Sequence, residues 1–133
     1  MAKILVIDDD TIVRLTIVHL LEEAGHLVLW AVDGLQGMAV FRGWHPDLVI
    51  TDIIMPEQEG IQTIAEMRKA KPDAKIIATS GGGRIGNTDF LTMAKARGAM
   101  AVIPKPFDMD ELLALVRDCL SGRARRDESE RAA

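Results

Sequence analysis

The chain has 133 residues, 48% hydrophobic and 27% charged, which is enough for one domain around a single core and too few for two. Its formal net charge of -4 gives no electrostatic basis for nucleic-acid binding, which ordinarily shows as a basic excess. No stretch approaches the roughly 18 apolar residues of a membrane span, and the start MAKILVIDD lacks the apolar core of a signal peptide, so a cytoplasmic protein is expected.

In chain order, the apolar run Ile4–Ile7 reads as a strand closed by Asp8, Asp9 and Asp10. Asp10 to Ala24 follows at helical spacing, carrying Ile12, Val13, Leu15, Ile17, Leu20 and Leu21, with Gly25 as its terminator. Leu27–Val32 is a second strand and Leu35–Trp44 a second helix; Leu48–Thr51 and Gly60–Ala70 repeat the pair. Lys75–Thr79 is the fourth strand, Thr88–Arg97 the fourth helix closed by Gly98, and Ala101–Ile103 the fifth strand. Asp108–Leu120 opens on an aspartate cap and is expected to bury Leu112, Leu113, Val116 and Leu120. Beyond residue 121 the basic Arg123, Arg125 and Arg126 are answered by Asp127, Glu128 and Glu130, as in a frayed solvated tail. Cys119 has no partner for a disulfide and falls at an apolar helical position, which reads as a core thiol.

Five strands alternating with helical segments imply parallel βαβ units, an α/β sheet with helices on both faces. In such sheets sites form beyond the carboxyl ends of the strands, at the topological switch point. The residues there are Asp8, Asp9 and Asp10 after the first strand, Asp52 after the third, Thr79 and Ser80 at the fourth, and Lys105 after the fifth. Crowded carboxylates repel one another unless a cation intervenes. Mg2+ is the natural candidate, being hard, oxygen-seeking and content with one or two carboxylates plus phosphate oxygens. Asp8 and Asp9 would hold it, while Asp10 caps the first helix. Taken alone, the triplet also reads as a cap with surplus charge; Asp52, Ser80 and Lys105 weigh against that.

The motifs ILVIDDD, DLVITDIIMPEQEG, KIIATSGGG and VIPKPF, in this order and spacing, resemble the receiver domains of two-component response regulators from Lys3 to about Leu120. The resemblance implies a flavodoxin-like doubly wound sheet of strand order 2-1-3-4-5 over residues 1–121. It also implies a site that takes a phosphoryl group from a histidine kinase or histidine phosphotransfer protein. By position, Asp52 matches the phosphoacceptor. Asp9 and Asp52 match the direct Mg2+ ligands, Asp8 the acid acting through water, and the Ile54 backbone carbonyl the third protein ligand. Lys105 matches the lysine that pairs with a phosphoryl oxygen, Ser80 the hydroxyl that bonds another, and amides near Ile53 and Gly81 stand as further donors. A cis Lys105-Pro106 bond is expected on the same ground. The exposed face of the first helix, with Thr11, Arg14 and His19, matches the surface that docks the kinase.

Some positions depart from the family. Val102 stands where an aromatic switch residue is common, and the chain has no tyrosine; Pro104 precedes the lysine. The connection after Ser80 is lengthened through Gly81, Gly82 and Gly83 and is expected to be mobile before the fourth helix. Ile54 and Gly82 occupy places that often position an attacking water, which implies a long-lived phosphoryl state. His19, His26 and His45 lack partners at metal spacing, the seven methionines read as filler, and Trp30 and Trp44 read as core-edge residues.

Two other classes fit parts of the sequence. ILVIDDDTI also resembles the start of haloacid-dehalogenase-type phosphatases, with Asp8 as nucleophile and Asp10 as acid/base, although that class explains neither Asp52 nor Lys105-Pro106. A binding module on the same fold that works without phosphate is the other. The expected role is a stand-alone, non-enzyme receiver of a two-component or phosphorelay system, its signal leaving through contact with a downstream protein partner or by passage of the phosphoryl group onward. The face of the fourth helix, fifth strand and last helix is its expected regulated surface.

Overall fold

The computed structural model describes residues 1–53, 59–80, 94–96 and 98–122. Five parallel strands, β1 (Lys3–Ile7), β2 (Leu27–Ala31), β3 (Leu48–Asp52), β4 (Ile76–Ser80) and β5 (Ala101–Pro104), form one sheet in the order β2-β1-β3-β4-β5. Among the described residues four helices join them: α1 (Thr11–Glu23), α2 (Gly34–Trp44), α3 (Glu59–Ala70) and α4 (Met109–Ser121). Most of the fourth helix expected from sequence, and the Gly81–Gly83 connection, lie outside the described residues; Ala94–Ala96 are helical. The tail beyond Gly122 also lies outside them.

Central strands of a sheet covered on both faces must be apolar on both sides. Accordingly every residue of β3 and β4 is buried. Alternate residues of β1 separate two cores. Leu5 and Ile7 pack with Met38 and Phe41 of α2 and Ile61, Ile64 and Met67 of α3. Ile4 and Val6 pack with Ile17, Val18 and Leu21 of α1 and Leu112, Val116 and Cys119 of α4. Burial pushes the Cys119 thiol up to about 12, as expected of a core cysteine. On α4, Leu113 and Leu120 are only partly buried, and Cys119 takes the place expected for them.

Helix ends follow the cap chemistry in the sequence. Asp10 accepts from the Ile12 and Val13 amides, satisfying donors that the first turn of α1 leaves open. Asp108 and Glu111 form a reciprocal capping box at α4. Gly25 (φ 96°) and Gly122 (φ 84°) take the left-handed conformation just beyond α1 and at the end of α4.

On α1, Ile12 is 75% and Leu15 49% exposed, while Arg14, expected on the exposed docking face, is buried at 6%. Its guanidinium lies beneath Trp30, 4.5 Å from the ring centroid. Trp30 itself is 47% exposed on the edge strand β2 and covers a cation, whereas Trp44 packs at the margin of the core as expected. Thr11 and His19 are exposed, and His19 lies 3.5 Å from Glu23 one turn on.

Candidate functional site

The strand order reverses between β1 and β3, so the crevice at their carboxyl ends is the switch point. Ile7 pairs with Thr51, which sets Asp8, the next residue after β1, beside Asp52, the last of β3. Asp52 in turn pairs with Thr79 of β4, and Ser80 with Pro104 of β5. Register alone thus brings four strand ends to one rim.

The three acids converge. Asp8, Asp9 and Asp52 each offer a carboxylate oxygen, and these lie within 4.8 Å of one another. Asp8 and Asp52 are buried and Asp9 is exposed. Lys105 Nζ enters the cluster, 2.7 Å from Asp8 Oδ2 and 3.6 Å from Asp52 Oδ2. A buried carboxylate pair without a cation would be strongly disfavoured, and the Lys105 ammonium supplies one.

Lys105 reaches inward from the loop after β5. Its amide donates to the Ser80 carbonyl at 2.8 Å, and the Lys105-Pro106 bond is cis, as expected from the sequence. Pro104 does not turn the lysine away. It ends an edge strand with its nitrogen on the unpaired side, where the absent N–H breaks no ladder bond. Ser80 and Thr79 are both buried at the end of β4. Val102, at the aromatic position of the family, is half-buried against the α2/α3 core.

Asp8 is held on all sides. Its amide donates to the Ala31 carbonyl at 3.2 Å, its carbonyl accepts from Arg14 Nη1 at 2.9 Å, and its Oδ1 accepts from the Asp10 amide at 2.9 Å. With Lys105 on Oδ2, every polar atom is engaged. Sequence reasoning missed Arg14 as part of this neighbourhood; its helical position gave no sign that a cation would turn inward.

α3 approaches the end of β3 very closely. A Cβ at Gly60 would overlap the Asp52 carbonyl oxygen and Ile53 Cα, so only glycine lets the helix start there. Of the donors expected near Ile53, its own amide is taken: it donates to the Thr79 carbonyl at 2.9 Å, extending the ladder. Ile54, Gly81 and Gly82 lie outside the described residues.

Residues 4–117 match the response regulator receiver domain family. The chain belongs to that family. It is 36% identical over 132 residues to the DNA-binding transcriptional regulator NtrC of Azospirillum brasilense, a match covering 90% of this chain and 24% of that protein. It is 29% identical over 118 residues to sporulation initiation phosphotransferase F of Bacillus subtilis, covering 89% of this chain and 93% of that one. A CheY-like receiver domain structure from Methanospirillum hungatei superposes with a TM-score of 0.84 at 26% identity, over 95% of this chain and 98% of that one. The chain therefore spans about a quarter of the NtrC relative and nearly all of the phosphotransferase. Receiver domains of this kind are components of two-component systems. Among the described residues no helix is long and apolar enough to cross a membrane.

Proposed function

We propose that this receiver accepts a phosphoryl group on Asp52 from the phosphohistidine of a kinase or phosphotransfer protein. The observation that carries the reading is the placement of one lysine between two buried aspartates at the switch point. An oxygen of Asp52 forms the new bond to phosphorus as the donor's N–P bond breaks, and the imidazole leaves and takes up a proton. Lys105 is close enough to Asp52 to follow the incoming charge, and Ser80 at the adjacent strand end supplies the hydroxyl that bonds a phosphoryl oxygen.

The donor set fits a hard divalent cation: three carboxylates with oxygens inside 4.8 Å and no thiol or imidazole among them. Asp8, Asp9 and Asp52 would hold Mg2+, with the Ile54 carbonyl as a further ligand. Bound there, it would supply charge compensation for the phosphoryl oxygens. The phosphatase reading, with Asp8 as nucleophile, is disfavoured because both its carboxylate oxygens are already hydrogen-bonded.

Partner contact is assigned to the groove beside the acids. Ile12, Val13 and Thr16 of α1 face Pro106, Phe107 and Met109 across about 320 Å³. The exposed Ile12 and Leu15 extend this apolar surface toward an incoming helix of the donor. Output follows from phosphorylation as a change in the surface around β5 and α4, read by a downstream protein.

The test is intact mass after incubation with acetyl phosphate and Mg2+. One added phosphoryl group, absent in EDTA and in Asp52→Ala, supports the reading. No addition to a folded protein, or an addition that survives Asp52→Ala, overturns it.

A further inference from the structure

Arg14 is a buried cation without a carboxylate partner among the described residues. It is 6% exposed, its Nη1 donates to the Asp8 carbonyl at 2.9 Å, and its Nε has no hydrogen-bond partner there. The open side of the guanidinium is covered by the Trp30 ring at 4.5 Å. Burying a guanidinium this way is costly unless its location does something.

The bond to the Asp8 carbonyl has a geometric effect. That carbonyl belongs to the peptide joining Asp8 to Asp9, and a peptide unit is planar, so fixing its oxygen fixes the amide of Asp9 as well. Asp8 needs no such help, because its side chain is held by the Asp10 amide and Lys105. Asp9 does: it is exposed, and its carboxylate has no hydrogen bond among the described residues. Among the described residues, its direction is set from the backbone.

We propose that Arg14 is a positioning residue for the acidic centre: it locks the Asp8-Asp9 peptide and so aims the Asp9 carboxylate, with Trp30 clamping the guanidinium from outside. The inference rests on the reading of Asp8, Asp9 and Asp52 as a Mg2+ site. Outer residues that orient metal ligands typically change affinity by about 10- to 100-fold when removed.

Position and charge act in opposite directions here, which makes the proposal testable. As a mere positive charge near the acids, Arg14 weakens Mg2+ binding, and its loss would tighten it. As a positioning group, its loss weakens binding, and lysine does not rescue it because a single ammonium cannot hold the carbonyl while stacking under the ring as the planar fork does. The experiment is calorimetric titration of the full chain with MgCl2 for the wild type, Arg14→Lys, Arg14→Met, Trp30→Phe and Trp30→Leu, with thermal melts in EDTA as the check on folding. Arg14→Lys and Arg14→Met should each weaken Mg2+ by about tenfold, Trp30→Leu should weaken it less, and Trp30→Phe, which keeps an aromatic face, should stay near wild type. Unchanged or tighter binding by the folded Arg14 variants, beside a wild type that binds, overturns this inference alone. Should the Arg14 variants not fold, unchanged binding in Trp30→Leu overturns it. A wild type that takes up no Mg2+ overturns the metal reading and this inference with it.

Discussion

Lys105 Nζ lies 2.7 Å from Asp8 Oδ2, an ion pair between residues 97 apart in sequence and largely shielded from water. It ties the loop after β5 to the end of β1 across the whole switch point. Because the Asp8 side chain is only 2% exposed, removing the ammonium strands a buried carboxylate beside Asp52. Lys105→Met should therefore cost about 3 kcal/mol of stability in EDTA, measured by urea denaturation. Mg2+ should recover part of that loss by supplying the missing positive charge.

The single lysine cannot serve three acids equally. It pairs with Asp8 and approaches Asp52, which leaves Asp9 as the unpaired member of the cluster. Asp9→Asn should raise the melting temperature of the metal-free protein by relieving repulsion. The wild type should gain melting temperature on adding Mg2+, as binding to the folded state requires, and the same variant should lose most of that gain. Melts with and without Mg2+ measure both effects.

Gly60 sets how near α3 comes to the backbone of Asp52. An alanine there would overlap backbone atoms of Asp52 and Ile53, which cannot rotate away as a side chain does. Gly60→Ala should destabilise by about 2 kcal/mol in denaturant melts. It should also slow phosphorylation from acetyl phosphate more than Gly43→Ala, where a Cβ meets nothing within 4 Å.

His26 carries a pH dependence away from the site. Its Nδ1 accepts the Ala2 amide at 3.1 Å, and burial, then the nearby chain amine, lower its pKa from the ordinary 6.5. The unfolded chain therefore takes up a proton at higher pH than the folded one. The stability from this contact is complete above 6.5 and is lost as pH falls through the lowered folded value. The difference in urea midpoint between wild type and His26→Asn should shrink as pH falls below 6.5. A constant difference across that range would contradict the assignment.

Most of this architecture was legible before any coordinates. Apolar runs ending in Asp, Ser or Pro marked the strand ends, and the switch-point rule then placed Asp8, Asp9, Asp52, Ser80 and Lys105 on one rim. Caps at Asp10 and Asp108 were equally plain, because short acceptors before an apolar helix have one main use. What could not be read was the inward turn of Arg14. The resemblance puts it on the exposed face of the first helix, but Trp30 on the edge strand offers the guanidinium a ring face, and the Asp8 carbonyl offers it a hydrogen bond. Periodicity ends the third strand at Thr51, while the ladder runs on through Asp52 and the Ile53 amide still pairs with Thr79.

The most direct test of the central claim is to locate the phosphoryl group. The protein is treated with acetyl phosphate and Mg2+, reduced with borohydride, which converts an aspartyl phosphate to homoserine, and mapped by peptide mass spectrometry. The account requires homoserine at position 52 and aspartate unchanged at positions 8 and 9. Homoserine at position 8 instead, or a folded protein with none at any aspartate, would contradict it.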